Sequence, residues 1–333
     1  MATSAPDQTW VIWSGADRHN RRVTARDEGS RAARWPDFLI VGAPRSGTTF
    51  MFDYLGAHPQ VYASARKEPQ FFCTDLDSGS EQDSVTFLRD RDEYLGLFAG
   101  ARDDQLAGEA STWYLYSKTA AGNIHAVNPE TRIIAMLRHP VEMLYSLHGR
   151  RHYAGSEDLA SFKDALDAEE DRRAGRRIPK RARNVTALQY REVGRYSEQV
   201  KRYFDTFGRD RVHVVIFDDF IRDPGAAYRG VLEFLGIDAD FKPDLEIVNA
   251  SASRRGWRLH RMLTSARTLR ILRAAIPERA RPRIGGAWDR LTTRSQRREP
   301  LDPKVAAELR ADLLPDIEAL SQRLGRDLAD LWQ

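Results

Sequence analysis

Two short stretches carry residues whose types and spacing suit them to hold anions. The first is Gly42-Ala43-Pro44-Arg45-Ser46-Gly47-Thr48-Thr49, which follows the apolar run Phe38-Leu39-Ile40-Val41 and precedes a segment of helical composition. A strand, a glycine-rich turn and a helix with Thr48 and Thr49 near its start aim several backbone N–H groups at one point, where the helix dipole also favours negative charge. The Gly42-x4-Gly47 spacing matches nucleotide-binding phosphate loops, but Thr48 stands where an NTP-binding loop carries its lysine. The cation left in the loop is Arg45, three residues earlier, able to cover an anion from the turn. That arrangement suits a donor with a short phosphate chain better than ATP. The bland alternative, that Gly42 and Gly47 serve tight turns only, leaves the company of Ser46, Thr48 and Thr49 unexplained.

The second stretch is Arg138-His139-Pro140, directly after the apolar run Arg132 to Leu137, with Ser146 six residues beyond Pro140. Proline is well suited to the first position of a helix, so Arg138 would stand just before a helix and Ser146 within it. The two can converge on a second anion. The alternative is an Arg138 salt bridge and a Ser146 on the helix surface.

Stepping from these residues to their supports, the chain alternates strand and helix. Strand-like runs are Phe38 to Val41, Val61 to Ala63, Arg132 to Leu137 and Val212 to Phe217. Helical segments are expected over Thr48 to Ala57, Ser84 to Leu97, Pro140 to His148, Ser161 to Arg172, Ser197 to Thr206 and Ala226 to Leu235. Alternation of this kind implies an α/β fold with a central, mostly parallel sheet flanked by helices. Ligands gather at the carboxyl ends of such strands, which places the loops after Val41 and Leu137 on one edge. Residues 1–35 are polar and without sustained periodicity and read as an N-terminal extension, leaving 36–333 as the catalytic domain. The Arg- and Lys-rich stretches Asp171 to Arg183 and Arg254 to Arg298 are expected at the surface. Asp302 to Trp332 returns to amphipathic helix, with Leu309, Leu313, Ile317 and Leu320 at helical spacing.

Composition narrows the class. The 333 residues are 41% hydrophobic and 30% charged, which fits a globular enzyme. A single cysteine, Cys73, can neither close an internal disulfide nor build a zinc site, so a reducing compartment and a metal-independent mechanism are expected. No apolar run approaches the ~20 residues needed to span a bilayer, and Met1 to Asp17 lacks the pattern of a secretory signal. The expectation is a cytoplasmic protein without a membrane span. The net charge of +4 and the many arginines point to anionic ligands, yet the basic run 171–183 has no interleaved aromatic residues, which argues against nucleic acid.

The run Phe38 to Thr49, followed by His58-Pro59 and Lys67-Glu68-Pro69-Gln70-Phe71-Phe72, resembles the sulfotransferases that use 3′-phosphoadenosine-5′-phosphosulfate (PAPS). Within that superfamily it is similar to bacterial members and to the heparan sulfate branch. The resemblance implies a P-loop-like three-layer fold and a first loop whose amides, Ser46, Gly47, Thr48, Thr49 and Arg45 hold the 5′-phosphosulfate. It also implies a 3′-phosphate gripped by Arg138 and Ser146, and adenosine 3′,5′-bisphosphate as product. Glu68 matches the family's catalytic glutamate, the base that takes a proton from the acceptor hydroxyl or amine. Its local alternative is a surface carboxylate paired to Lys67 or Arg66.

Glu109, in Gly108-Glu109-Ala110-Ser111-Thr112-Trp113-Tyr114, which resembles a family stretch near the acceptor cleft, is the rival base and is expected to be structural or to position substrate; Ala110 stands where some glycan-modifying members carry a lysine. Arg297 and Arg298 precede the closing helices, where the family often supplies a basic loop to the nucleotide. His148, Arg151 and His152 follow Ser146 and are expected along the acceptor cleft, although a solvated basic helix end would look the same. The acceptor implied first is a carbohydrate, with a lipid or specialised metabolite second. A P-loop kinase or a non-catalytic anion-binding module explains less.

Overall fold

A computed structural model of the chain describes residues 34–81, 83, 86–182, 184–242, 253–254, 293–294 and 300–333. The strands β1 (Phe38–Gly42), β2 (Val61–Ala63), β3 (Leu106–Ala110), β4 (Arg132–Leu137) and β5 (Val212–Ile216) form one sheet in the order β2-β3-β1-β4-β5. Every pairing in it is parallel. The chain therefore passes from β1 to the edge strand β2, returns inward to β3, and then crosses over to β4 and β5 on the other side. That puts a topological switch point at the carboxyl end of β1, where open α/β sheets bind ligands.

Why β1 is central is visible in its residues, all of them buried. Period-two alternation splits them between two cores. Phe38 and Ile40 face a layer made with Met51, Phe52 and Leu55 of α1 (Thr48–Gly56) and Val231, Leu232 and Leu235 of α10 (Pro224–Leu235). Leu39 and Val41 face the other layer, which includes Ile124 of α3 (Ala120–Val127), Leu144 of α4 (Pro140–Ala154) and Val200 of α8 (Tyr196–Phe207). Helices thus cover both faces of a parallel sheet, the three-layer α/β arrangement that the alternating pattern implies. The long α11 (Pro303–Leu324) buries Leu309, Leu313, Ile317 and Leu320 as their spacing requires, and the short α12 (Leu328–Leu331) follows it. Among the described residues no helix is long and apolar enough to cross a membrane.

Three differences from the sequence reading have physical causes. Strand β3 was not foreseen because Leu-Ala-Gly-Glu-Ala has no β-branched residue. It is a strand because Gly108 lets the Phe38 ring lie against it, at a place where a Cβ would come within 2.4 Å of that ring. Among the described residues of the helix expected over Ser84 to Leu97, Arg91–Gly96 is α-helical, its start set by Asp90, whose side chain accepts from the Glu93 N–H. The run beginning at Asp171 is not wholly superficial. Arg172 is buried and makes a two-pronged ion pair with Glu157, at 2.8 and 2.6 Å, with the Tyr190 hydroxyl donating to the same carboxylate at 2.9 Å.

Candidate active site

The loop between β1 and α1 is a tight turn that brings backbone back over the sheet's carboxyl edge. Gly47 sits in the left-handed region (φ 83°) as the residue before α1, and a Cβ there would lie 2.9 Å from the Phe217 ring. Arg45, also left-handed (φ 61°), holds its side chain outward. The Arg45 Nε donates to the Ser146 hydroxyl at 3.0 Å, and an Arg138 guanidinium nitrogen lies 3.5 Å from the Arg45 carbonyl oxygen. The two stretches singled out for anion binding are thus in contact across the edge of β1 and β4. Pro140 starts α4, and His139 caps it by accepting from the Val141 N–H.

Arg138 also pairs with Glu142 at 2.7 Å, the local alternative for this residue. Both partners keep solvent contact, so the pair is weak and exchangeable. The Arg138 guanidinium lies 5.0 Å from the centre of the Phe217 ring, which in turn packs against Gly47. Arg45, Arg138 and Ser146 therefore stand together at one edge, with the Phe217 ring beside the Arg138 guanidinium. Thr48 is buried and Thr49 exposed at the start of α1. Ser46 is fully buried, and its hydroxyl donates to the Pro44 carbonyl at 3.4 Å within the turn.

Lys67 supplies a cation that sequence reading passed over. Its ammonium donates to the Thr49 hydroxyl at 2.8 Å, so it stands at the head of α1. Burial lowers its pKa, opposed by Glu68 and Asp53. Lys67 had been weighed only as a partner for Glu68. The signal that locates it is the sheet order, since the carboxyl end of β2 opens on the same edge as that of β1.

Glu68 follows directly. Its carboxylate accepts from the Thr112 N–H at 2.9 Å, from the Thr112 hydroxyl at 3.1 Å and from the Gln70 amide at 2.9 Å. Arg66 turns instead to Glu93, at 3.2 Å. Loss of hydration pushes the Glu68 carboxyl above the ordinary carboxylate range, while the two Thr112 bonds and the Lys67 charge pull it back. A carboxylate held by donors on one side and raised in basicity is suited to take a proton on the other. Gln70 and Thr112 are thus supporting residues that no motif announced.

The expected acceptor-side residues divide. Glu109 is fully buried beneath the edge, and burial raises its pKa to about 8. His148 is buried, its Nε2 lying 3.0 Å from the Leu159 carbonyl, and its ring packs against Phe162 and Tyr190. Arg151 is buried as well, with a guanidinium nitrogen 3.4 Å from the Asn184 carbonyl. The cause is that α4 runs on to Ala154, which turns positions 148 and 151 toward the α4 core face. His152 alone of the three is exposed. Arg297 and Arg298 lie outside the described residues.

A fold and edge of this kind define a group-transfer enzyme class that holds an anionic donor on a P-loop-like turn, and the similarities of the chain agree. Residues 36–241 match the model of the Sulfotransferase family, and the chain belongs to that family. It is 26% identical to the human bifunctional heparan sulfate N-deacetylase/N-sulfotransferase 3, over 70% of this chain and 26% of the relative. It is also 26% identical to the mouse heparan sulfate glucosamine 3-O-sulfotransferase 6, over 63% of this chain and 54% of the relative. The chain thus spans about a quarter and about half of these two proteins. Among solved structures it is similar to a sulfotransferase from Alicyclobacillus acidocaldarius, with a TM-score of 0.66 and 28% identity over 90% of this chain and 99% of the other.

Proposed function

We propose that this protein transfers a sulfuryl group from PAPS to a hydroxyl or amine of a carbohydrate acceptor. The observation that carries the proposal is the contact of two anion-binding loops, Arg45 to Ser146 at 3.0 Å, beside a separately held carboxylate, Glu68. A donor with a phosphosulfate at one end and a ribose phosphate at the other fits this set: a glycine that admits no Cβ, an aromatic ring at Phe217, and three cations, Arg45, Lys67 and Arg138. PAPS supplies, when bound, an activated sulfur whose leaving group is a phosphate. Support for a carbohydrate acceptor comes from the two heparan sulfate relatives, one named for N- and one for O-sulfation.

In this reading each residue has one task. Backbone amides of the Gly42 to Thr49 turn, with Arg45 and Thr49, hold the 5′ end, and Lys67 at Thr49 places positive charge where the bridging oxygen becomes anionic. Arg138 and Ser146 grip the 3′-phosphate, as the family resemblance has it. Glu68 accepts the acceptor's proton as the new S–O or S–N bond forms and the S–O bond to the 5′-phosphate breaks. Thr112 and Gln70 hold Glu68 in line.

Two measurements test the reading. Calorimetry should give micromolar binding of adenosine 3′,5′-bisphosphate without magnesium, and a preference for Mg-ATP would refute it. Radiolabelled donor offered to a panel of unsulfated heparosan, chondroitin and N-deacetylated oligosaccharides should label at least one. Glu68→Gln should keep product binding and lower that turnover by about 10²- to 10⁴-fold, the usual worth of a general base.

A further inference from the structure

The segment that carries Glu68 is held in an uncommon conformation. Glu68 and Gln70, on either side of Pro69, both lie in the left-handed region, with φ of 54° and 58°. Non-glycine residues stay there only where surrounding bonds hold them. The bonds come from consecutive residues at the end of β3. The Ala110 carbonyl accepts from the Glu68 N–H at 2.9 Å, the Ser111 hydroxyl accepts from the Gln70 N–H at 3.1 Å, and Thr112 donates twice to the Glu68 carboxylate.

Ser111 can accept from Gln70 only if its own proton points elsewhere. It does: Ser111 donates to Glu109 Oε2 at 2.9 Å, and Tyr94 donates to Glu109 Oε1 at 3.3 Å. All four of Glu109, Ser111, Gln70 and Tyr94 are buried. The Gln70 side chain then returns to the Glu68 carboxylate at 2.9 Å, closing a path from Glu109 to the base.

We infer that Glu109 is a positioning residue, which fixes the Ser111 hydroxyl so that Ser111 holds Gln70 and Gln70 holds the Glu68 carboxylate in line for proton transfer. Glu109 touches neither donor nor acceptor, and its whole effect passes through Glu68. The inference rests on Glu68 being the base, and the test separates the two statements.

The experiment is a double-mutant cycle on the oligosaccharide that accepts most label, with a crystal structure that needs no acceptor. Ser111→Ala should lower kcat about tenfold, a usual result of loosening a reacting group, with the acceptor KM and the Kd for adenosine 3′,5′-bisphosphate unchanged. In the Glu68→Gln background the same change should cost less than twofold, because Ser111 acts only through Glu68. Glu109→Leu should behave like Ser111→Ala, and Glu109→Gln, which keeps an acceptor for Ser111, should restore most of the turnover. In crystals of Ser111→Ala with adenosine 3′,5′-bisphosphate the Glu68 carboxylate should leave Thr112. An unchanged kcat, an equal loss in both backgrounds, or a Glu68 still seated on Thr112 overturns the positioning role and leaves the base intact. Full turnover of Glu68→Gln alone overturns the base, and the inference with it.

Discussion

Replacing Arg138 with alanine should weaken binding of adenosine 3′,5′-bisphosphate while leaving adenosine 5′-monophosphate almost untouched. A hydrogen bond between a charged donor and a phosphate is worth about 1.5–3 kcal/mol. Against this stands the pair Arg138 gives up, its 2.7 Å bond to Glu142, whose side chains are 24% and 60% exposed. Such an exposed pair is worth about 1 kcal/mol or less. The net loss is about 0.5–2 kcal/mol, or about 2- to 30-fold in Kd. Glu142→Gln, which frees Arg138 from its competitor, should tighten the same ligand by up to about fivefold. Titration calorimetry of both ligands at one fixed salt concentration reads the effect, since partly exposed charges are screened. Equal losses for the two ligands would refute the reasoning, because they would place Arg138 at the 5′ end or in the scaffold.

Gly47→Ala should abolish measurable binding of adenosine 3′,5′-bisphosphate in the same titration, since it sets a Cβ 2.9 Å from Phe217 at a residue with φ 83°. Arg172→Ala strands a buried Glu157 carboxylate and should cost about 3–5 kcal/mol in urea unfolding without altering the ligand Kd of the folded protein. Glu109 binds a proton more tightly when folded, its pKa rising from 4.5 to about 8, so stability falls as pH rises through that window and is unaffected below it. Glu109→Gln should therefore flatten the fall, read as melting temperature against pH from 5 to 9. Thr112→Val removes a bond that holds the Glu68 pKa down, so the acidic limb of the pH–rate profile should move upward.

What the sequence discloses and what it hides divide by the kind of signal. The turn from Gly42 to Thr49 and the pair Arg138 and Ser146 are legible because glycine, proline and their spacing are demanded by backbone geometry close in the chain. Lys67 was hidden because its partner, Thr49, comes from the neighbouring loop. Glu109 and Thr112 are harder to place because β3, made of Leu-Ala-Gly-Glu-Ala, has no strand-like pattern; without that strand nothing says that Glu109 is inside or that Thr112 stands beside Glu68. His148 and Arg151 misled for a related reason. A helix ending at His148 would leave that residue at its last position and Arg151 beyond it, but α4 has 15 residues, ending at Ala154, and both positions are buried.

The strand order explains why so distant a set of residues can act together. β1 divides the edge: β4, on one side, delivers Arg138 and Ser146, while β3 and β2, on the other, deliver Thr112, Lys67 and Glu68. In-line transfer needs the attacking and leaving oxygens on opposite sides of the reacting atom. On the proposed function, a nucleotide held toward β4 and a base hung from β3 would put the reacting atom over the turn after β1, where Arg45, Thr49 and Lys67 stand. Adjacent strands are about 4.8 Å apart, so a side chain from either neighbour reaches that turn without a long loop. On the proposed function, an acceptor would reach Glu68 from the β2 and β3 side, so its selection would fall to residues there rather than to those that hold the donor.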